Sequence, residues 1–163
     1  MLSSNYFQGT AENPFHISIG TVLVNDNNEI ACHYFKEFSH KSTGNFKDFY
    51  LLMRETIEPG ETIENCLLRG LAEEFGAVGK IKSYIGSIVS HFPHKNIEIE
   101  KTTLYFLCEL ISFNSENRKL NDPESGSEIM WIPKEELIRK MQEQGQRLNR
   151  QDLDESKVLV GLK

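Results

Sequence analysis

A mixed α/β domain is the fold class this sequence predicts, and three features predict it. Residues 17–26 and 101–113 form runs rich in β-branched and aromatic side chains. Between them, residues 63–75 place Ile63, Leu67, Leu71 and Phe75 four apart, which sets one apolar stripe on a helix. A second helical stretch opens at Pro133, behind the short apolar run EIMWI. Strands and helices intermixed over 163 residues give a mixed sheet with helices, held in one domain.

The elements follow in order. Residues 1–15 are a polar lead-in ending at Pro14-Phe15. ISIGTVLVND, 17–26, is a strand with Ile17, Ile19, Thr21 and Leu23 on one face and Val22 and Val24 on the other, the pattern of a strand covered on both sides. Asp26-Asn27-Asn28 predicts a hairpin turn, and IACHYFKEF, 30–38, the returning strand. A polar loop, 39–45, follows. DFYLLMRETI, 48–57, begins as a strand and ends in a loop, and Glu58-Pro59-Gly60 turns. Thr62 is the expected N-cap of a helix over 63–75, and Gly76 its C-terminal stop. KIKSYIGSIVSHF, 80–92, is a strand interrupted at Gly86, HFPHKN, 91–96, a loop, and KTTLYFLCELISF, 101–113, the strongest strand. The polar stretch 115–127 reads as a long loop, 128–132 as a short strand, PKEELIRKM as a helix with Leu137, Ile138 and Met141 inward, and 152–160 as a last helical turn. The core is expected over about 15–142 of a single 1–163 domain, with the lead-in and a short C-terminal helical tail outside it.

Composition narrows the function. The formal net charge of -6 opposes generic binding to a nucleic-acid backbone, which needs clustered Lys and Arg. No stretch reaches 18 apolar residues, so no membrane span is expected, and the N-terminus lacks the pattern of a secretory signal. Cys32, Cys66 and Cys108 are scattered in apolar runs with no CxxC pair, which predicts buried thiols in a reducing cytoplasm.

The chemistry concentrates in GETIENCLLRGLAEEFGA, 60–77. On a helix, Gly70, Glu73 and Glu74 stand at i, i+3 and i+4. Two adjacent acids repel unless solvent or a cation offsets them, and Mg2+ suits because one or two carboxylates plus water and phosphate complete its shell. The plainer reading is a solvated acidic surface, with Arg69 and Glu73 as an ordinary i, i+4 ion pair. Gly70 inside the helix costs roughly 0.8–1 kcal/mol relative to alanine. It either permits a close backbone approach or marks a relaxed ligand position.

The spacing resembles the signature of the Nudix hydrolases: Gly, five residues, Glu, seven residues, then Arg-Glu-apolar-x-Glu-Glu-x-Gly-apolar. Glu61, TIENCLL, and then Arg69, Leu71, Glu73, Glu74 and Gly76 follow it, and EIMWIPKEEL resembles a later acid-strand-helix of that family. Three positions depart. Glu55, preceded by Arg54, stands at the leading glycine, Gly70 replaces the glutamate after the arginine, and Ala77 fills the last apolar position. The resemblance implies a Nudix-type α/β/α sandwich with a mixed central sheet, and hydrolysis of a diphosphate linkage in a nucleoside diphosphate joined to another group. It implies Mg2+ or Mn2+ held by Glu73 and Glu74, with Glu61 a lesser ligand and Glu55 a substitute for the acid missing at 70. Arg69 would orient the acids, and Glu128 would be a ligand or base. A glutamate restored at 70 is expected to raise metal affinity. The alternative is a catalytically weakened domain that binds a nucleotide or a protein. Dimers are frequent in the family, so a homodimer is also an expectation. His91, His94, Arg118 and Lys119 are weaker candidates for phosphate contact, and Phe46, Tyr84 and Phe92 for stacking on a base, with Trp131 packing beside the site.

Overall fold

The strand that is apolar on both sides lies at the centre of the sheet, as its composition requires. β1 (Phe15–Val24) pairs in parallel with β6 (Ile97–Phe113) along its whole length, from Phe15 opposite Glu100 to Val24 opposite Glu109. Its other edge is divided. β4 (Met53–Thr56) runs antiparallel to Ser18–Thr21, and β2 (Glu29–His40) joins at Val24 opposite Ile30. β2 then pairs with β7 (Glu128–Pro133) and with β3 (Gly44–Leu51), while β5 (Ala77–His94) pairs antiparallel with β6. The order is β3-β2-β1-β6-β5, with β4 on β1 and β7 on β2. The computed structural model describes residues 7–40, 44–119 and 123–162. The parts of the expected lead-in and loops that fall on 1–6, 41–43 and 120–122 lie outside the described residues.

One helical layer covers each face. α1 (Ile63–Gly70) starts where the Thr62 hydroxyl accepts the Asn65 N–H at 3.1 Å. It widens into a π-helical turn, Leu71–Phe75, and stops at Gly76 with φ of 65°. Cys66, Leu67, Leu71 and Phe75 are buried against Ile19, Leu23, Met53 and Cys108. On the opposite face, α2 (Lys134–Leu148) and α3 (Ser156–Val160) bury Leu137, Met141, Val158 and Leu159 against Val22, Cys32, Ile88 and Tyr105. Each such side chain contributes about 1.5–3 kcal/mol by leaving water. The result is the expected α/β/α sandwich on a mixed sheet.

Some boundaries differ from expectation, each for a local reason. The 48–57 strand is two strands broken at Leu52, and the first starts at Gly44, within the expected loop. The expected loop at 91–96 is strand up to His94, which pairs with Ile97. Lys95 and Asn96 turn the chain in two left-handed residues, φ 44° and 68°. Gly86 does not end β5; it sits at a register shift with φ of 144°. α2 runs seven residues past Met141 because Gln144 and Gly145 are buried despite their polarity or small size.

Candidate active site

Arg69 is the hub. Its Nε donates to Glu61 Oε1 at 2.8 Å and its Nη2 to Glu61 Oε2 at 2.9 Å, a two-pronged pair. Nη2 also donates to the Thr56 carbonyl at 3.0 Å. Nη1 faces Glu55 at 3.3 Å, Glu73 at 3.7 Å and Glu58 at 3.8 Å. Arg69 holds the Glu61 carboxyl down at about 2 through this hydrogen bonding, and the same bonds raise the pKa of Arg69. Glu61 also accepts from the Glu58 N–H at 2.9 Å. Burial raises the Glu55 pKa, against the pull of Arg69.

Gly70 is buried where α1 crosses β4. A β-carbon there would stand 2.8 Å from Met53 Sδ and 2.9 Å from Glu55 Cβ. The glycine therefore permits a close approach of α1 to β4, and a glutamate at 70 would require Met53 and Glu55 to give way before it could serve as a ligand. Two of the three departures from the signature are thus linked: the Glu55 β-carbon, with the Met53 thioether, lies where a β-carbon at 70 would stand.

Glu73 and Glu74 diverge. Glu73 keeps part of its surface exposed and pairs with Lys119 through Oε1 and with Arg69 through Oε2. Glu74 turns inward and is only 3% exposed. Its Oε2 lies 2.8 Å from His33 Nε2, and His33 Nδ1 lies 2.7 Å from Ser127 Oγ. The His33 ring packs 4.8 Å from Phe75. Arg118 closes the arrangement from the loop, donating to the carbonyls of Glu74 at 2.5 Å, Ser127 at 2.8 Å and Glu124 at 2.9 Å. The Lys119 N–H donates to the Glu73 carbonyl at 2.8 Å. Arg118 and Lys119 thus tie the β6–β7 loop to the signature helix.

Glu128 lies apart from these acids. Its register partner is Tyr34, which places it with Met130 on the sheet face away from α1, and it is exposed. His91 and His94 belong to β5. Phe46 joins an aromatic cluster with Phe38 and Phe49, Tyr84 packs on Phe106, and Phe92 meets His16 edge-on at 6.0 Å. Trp131 packs edge-on against Phe113 on the α1 side. Sequence reasoning missed His33 and Ser127. A histidine at an inward position of β2 was the available signal for the first; Ser127, in a polar run, gave none.

The NUDIX domain family model matches residues 14–152, and the chain belongs to that family. Among solved structures, it is similar to a Nudix hydrolase from Nitrosomonas europaea, with a TM-score of 0.57, 17% identity and 77% of each chain covered. It is similar also to the MutT protein from Methanosarcina mazei Go1, with a TM-score of 0.57, 16% identity, and 88% of this chain and 99% of that one covered. At these identities the likeness is one of fold. A comparison with curated protein sequences gives no match.

Members of this family typically depend on a divalent metal, and the side chains here do not fit that ion in the family's manner. Position 70 offers no carboxylate, Glu74 Oε2 is held by His33 inside the core, and Glu73 faces Lys119 and Arg69. Among the described residues, no three His, Cys, Asp or Glu side chains are grouped to hold a metal.

Proposed function

We propose that this chain is a Nudix-fold domain that binds a small nucleoside diphosphate derivative, with metal-dependent hydrolysis weakened or lost. The observation that carries this reading is the packing at Gly70. Glu55 and Met53 fill the site of the missing acid, so the helix cannot present the full carboxylate set without moving β4. Two protein cations, Lys119 and Arg69, also flank Glu73, and His33 engages Glu74.

A second reading keeps the hydrolase, acting with Mg2+ or Mn2+ on a diphosphate linkage. The intact Glu61–Arg69 pair and the exposed part of Glu73 favour it. In that reading Glu73 and Glu74 are ligands, Glu61 and Glu55 lesser ones, and Glu128 an auxiliary acid.

A cytoplasmic location away from membranes is part of the proposal, supported by three free, buried cysteines. No described helix is long and apolar enough to cross a membrane. Exposed Val78, Ile111 and Phe113 at one end of the β5–β6 ribbon support a homodimer.

The deciding experiment is mass-spectrometric. Nucleotide sugars, dinucleoside polyphosphates, dinucleotide cofactors and nucleoside triphosphates are incubated with folded protein and Mg2+ or Mn2+. The binding reading expects no turnover above a chelated control. Cleavage of one compound that chelation and Glu74→Gln both abolish establishes the hydrolase instead.

A further inference from the structure

The sheet face opposite α1 carries a polar strip that no element so far described uses. Strand register lines it up. Ser18 lies beside Thr103 and Thr56, His16 beside Lys101, and Gly20 beside Arg54 and Tyr105. Gly20 lets the Tyr105 ring lie across β1, since a β-carbon there would stand 2.4 Å from the ring. The Tyr105 hydroxyl thereby reaches Glu155 Oε1 at 2.5 Å, while Glu155 Oε2 accepts the Leu52 N–H at 2.7 Å. Glu155 is the buried carboxylate of the strip, and Arg54 faces it through Nε at 3.5 Å.

The cations outnumber that carboxylate. Arg54 is 20% exposed and has no other ion pair among the described residues. Lys101 is half-buried, and its ammonium has neither a hydrogen bond nor an ion pair among them. Burial, and next the positive charge of Arg54, hold the Lys101 ammonium down at about 7, although Glu155, Glu124 and Glu74 act the other way. His16 adds no charge. Its Nδ1 accepts from the Gly9 N–H at 3.1 Å, so Nε2 carries the proton and donates to Thr56 Oγ1 at 3.0 Å. Burial, then Lys101 and Arg54, keep its pKa at about 4. In the same strip the Ser18 hydroxyl is buried, 1% exposed, and finds no hydrogen-bond partner.

A guanidinium beside one carboxylate, a lysine whose ammonium is held down by burial and its neighbour, and an orphaned buried hydroxyl leave hydrogen-bonding capacity that an anion would complete. We infer that Arg54, Lys101 and Ser18 form an anion-binding site for the phosphoryl group of a small ligand. A guanidinium, an ammonium and a hydroxyl approaching from three strands suit a group with several non-bridging oxygens. The site deepens the binding reading above and rests on it: protein cations take the phosphate contact that a metal gives elsewhere in the family.

The test is calorimetric titration of the full chain in EDTA with inorganic phosphate, pyrophosphate and ADP, against citrate and KCl at matched ionic strength. The expected result is saturable binding of pyrophosphate or ADP that Lys101→Met weakens about tenfold or more, a change of about 1.4 kcal/mol. Ser18→Ala weakens it severalfold, and Lys82→Met, on the exposed ribbon, leaves it unchanged. Lys101→Met removes a half-buried ammonium already held down by its surroundings and is expected to keep the fold, checked by its urea midpoint. Phosphate binding as tightly as ADP identifies free phosphate as sufficient; tighter ADP identifies the phosphoryl group of a larger molecule; both support the site. Folded wild-type protein that binds none of the phosphates, or Lys101→Met that binds like wild type, overturns it. Chelator-sensitive turnover alongside Lys101-dependent binding would sink the functional reading and leave the anion site standing.

Discussion

The β-carbon of Glu55 stands 2.9 Å from the place a β-carbon on residue 70 would occupy. The strand and the helix therefore compete for one volume, and each residue makes sense only with the other. Overpacking costs about 1–3 kcal/mol, against which alanine recovers about 0.8–1 kcal/mol of helix propensity. Gly70→Ala is expected to destabilise by about 1 kcal/mol in urea unfolding, and Gly70→Glu by more, without a gain in Mg2+ affinity. Adding Glu55→Gly should return part of the loss, with a coupling of at least about 0.5 kcal/mol. Strict additivity would show that the two positions do not share space.

The buried contact between His33 and Glu74 gives a second prediction. His33→Ala removes a hydrogen bond to a carboxylate that is 3% exposed. A cost of about 1–3 kcal/mol follows from leaving a buried polar partner unsatisfied. Glu74→Gln keeps the shape and a bonding partner, and is expected to cost less. Equal and small effects of the two variants on the urea midpoint would mean that the contact is not structural.

Acid titration should expose the Glu61–Arg69 pair. Arg69 holds the folded Glu61 carboxyl at about 2, below its ordinary value of 4.5. The folded pKa is depressed, so the stabilisation is fully present above 4.5 and is lost as pH falls from there toward 2. Thermal melts between pH 2 and 6 should show wild type losing its advantage over Glu61→Gln across that window. A constant difference down to pH 2 would place the carboxyl's titration elsewhere.

Gln144 offers a test of the opposite layer. Its Oε1 accepts the Tyr50 N–H at 2.7 Å and its Nε2 donates to the Tyr50 carbonyl at 2.9 Å, so one side chain completes the backbone of β3 as a strand would. Gln144→Leu leaves both groups without that partner and is expected to cost about 1–3 kcal/mol. Amide exchange at Tyr50 should accelerate with it; unchanged protection would refute the edge-capping role.

What the sequence disclosed depended on whether the signal was local. β1 and β6 were plain because both their faces are apolar or β-branched, and α1 because Thr62 and Gly76 mark its ends. β3 was hidden because GNFKDF at the sheet edge is mostly exposed, and the end of β5 because Pro93, Lys95 and Asn96 resemble loop residues even where His94 still pairs. At the site, the acids and Arg69 were visible by spacing, but their partners were not. Arg69 prefers Glu61, eight residues back, to the i, i+4 Glu73, which lies farther away, and Glu74 finds His33 from 41 positions away. Such choices are made by the crossing of α1 over the sheet, which periodicity does not encode.

Gly76 joins the helix stop to the loop that follows β6. A β-carbon there would stand 2.1 Å from the Asn114 carbonyl oxygen, and the Asn114 N–H donates to the Gly76 carbonyl at 3.0 Å. The helix end and the loop start consequently share one origin. Glu73 and Lys119 both lie within a few residues of this point and are joined to each other by backbone as well as side chain. The acidic helix and its basic loop are thus joined as one part, packed against the strand that carries Arg54 and Glu55.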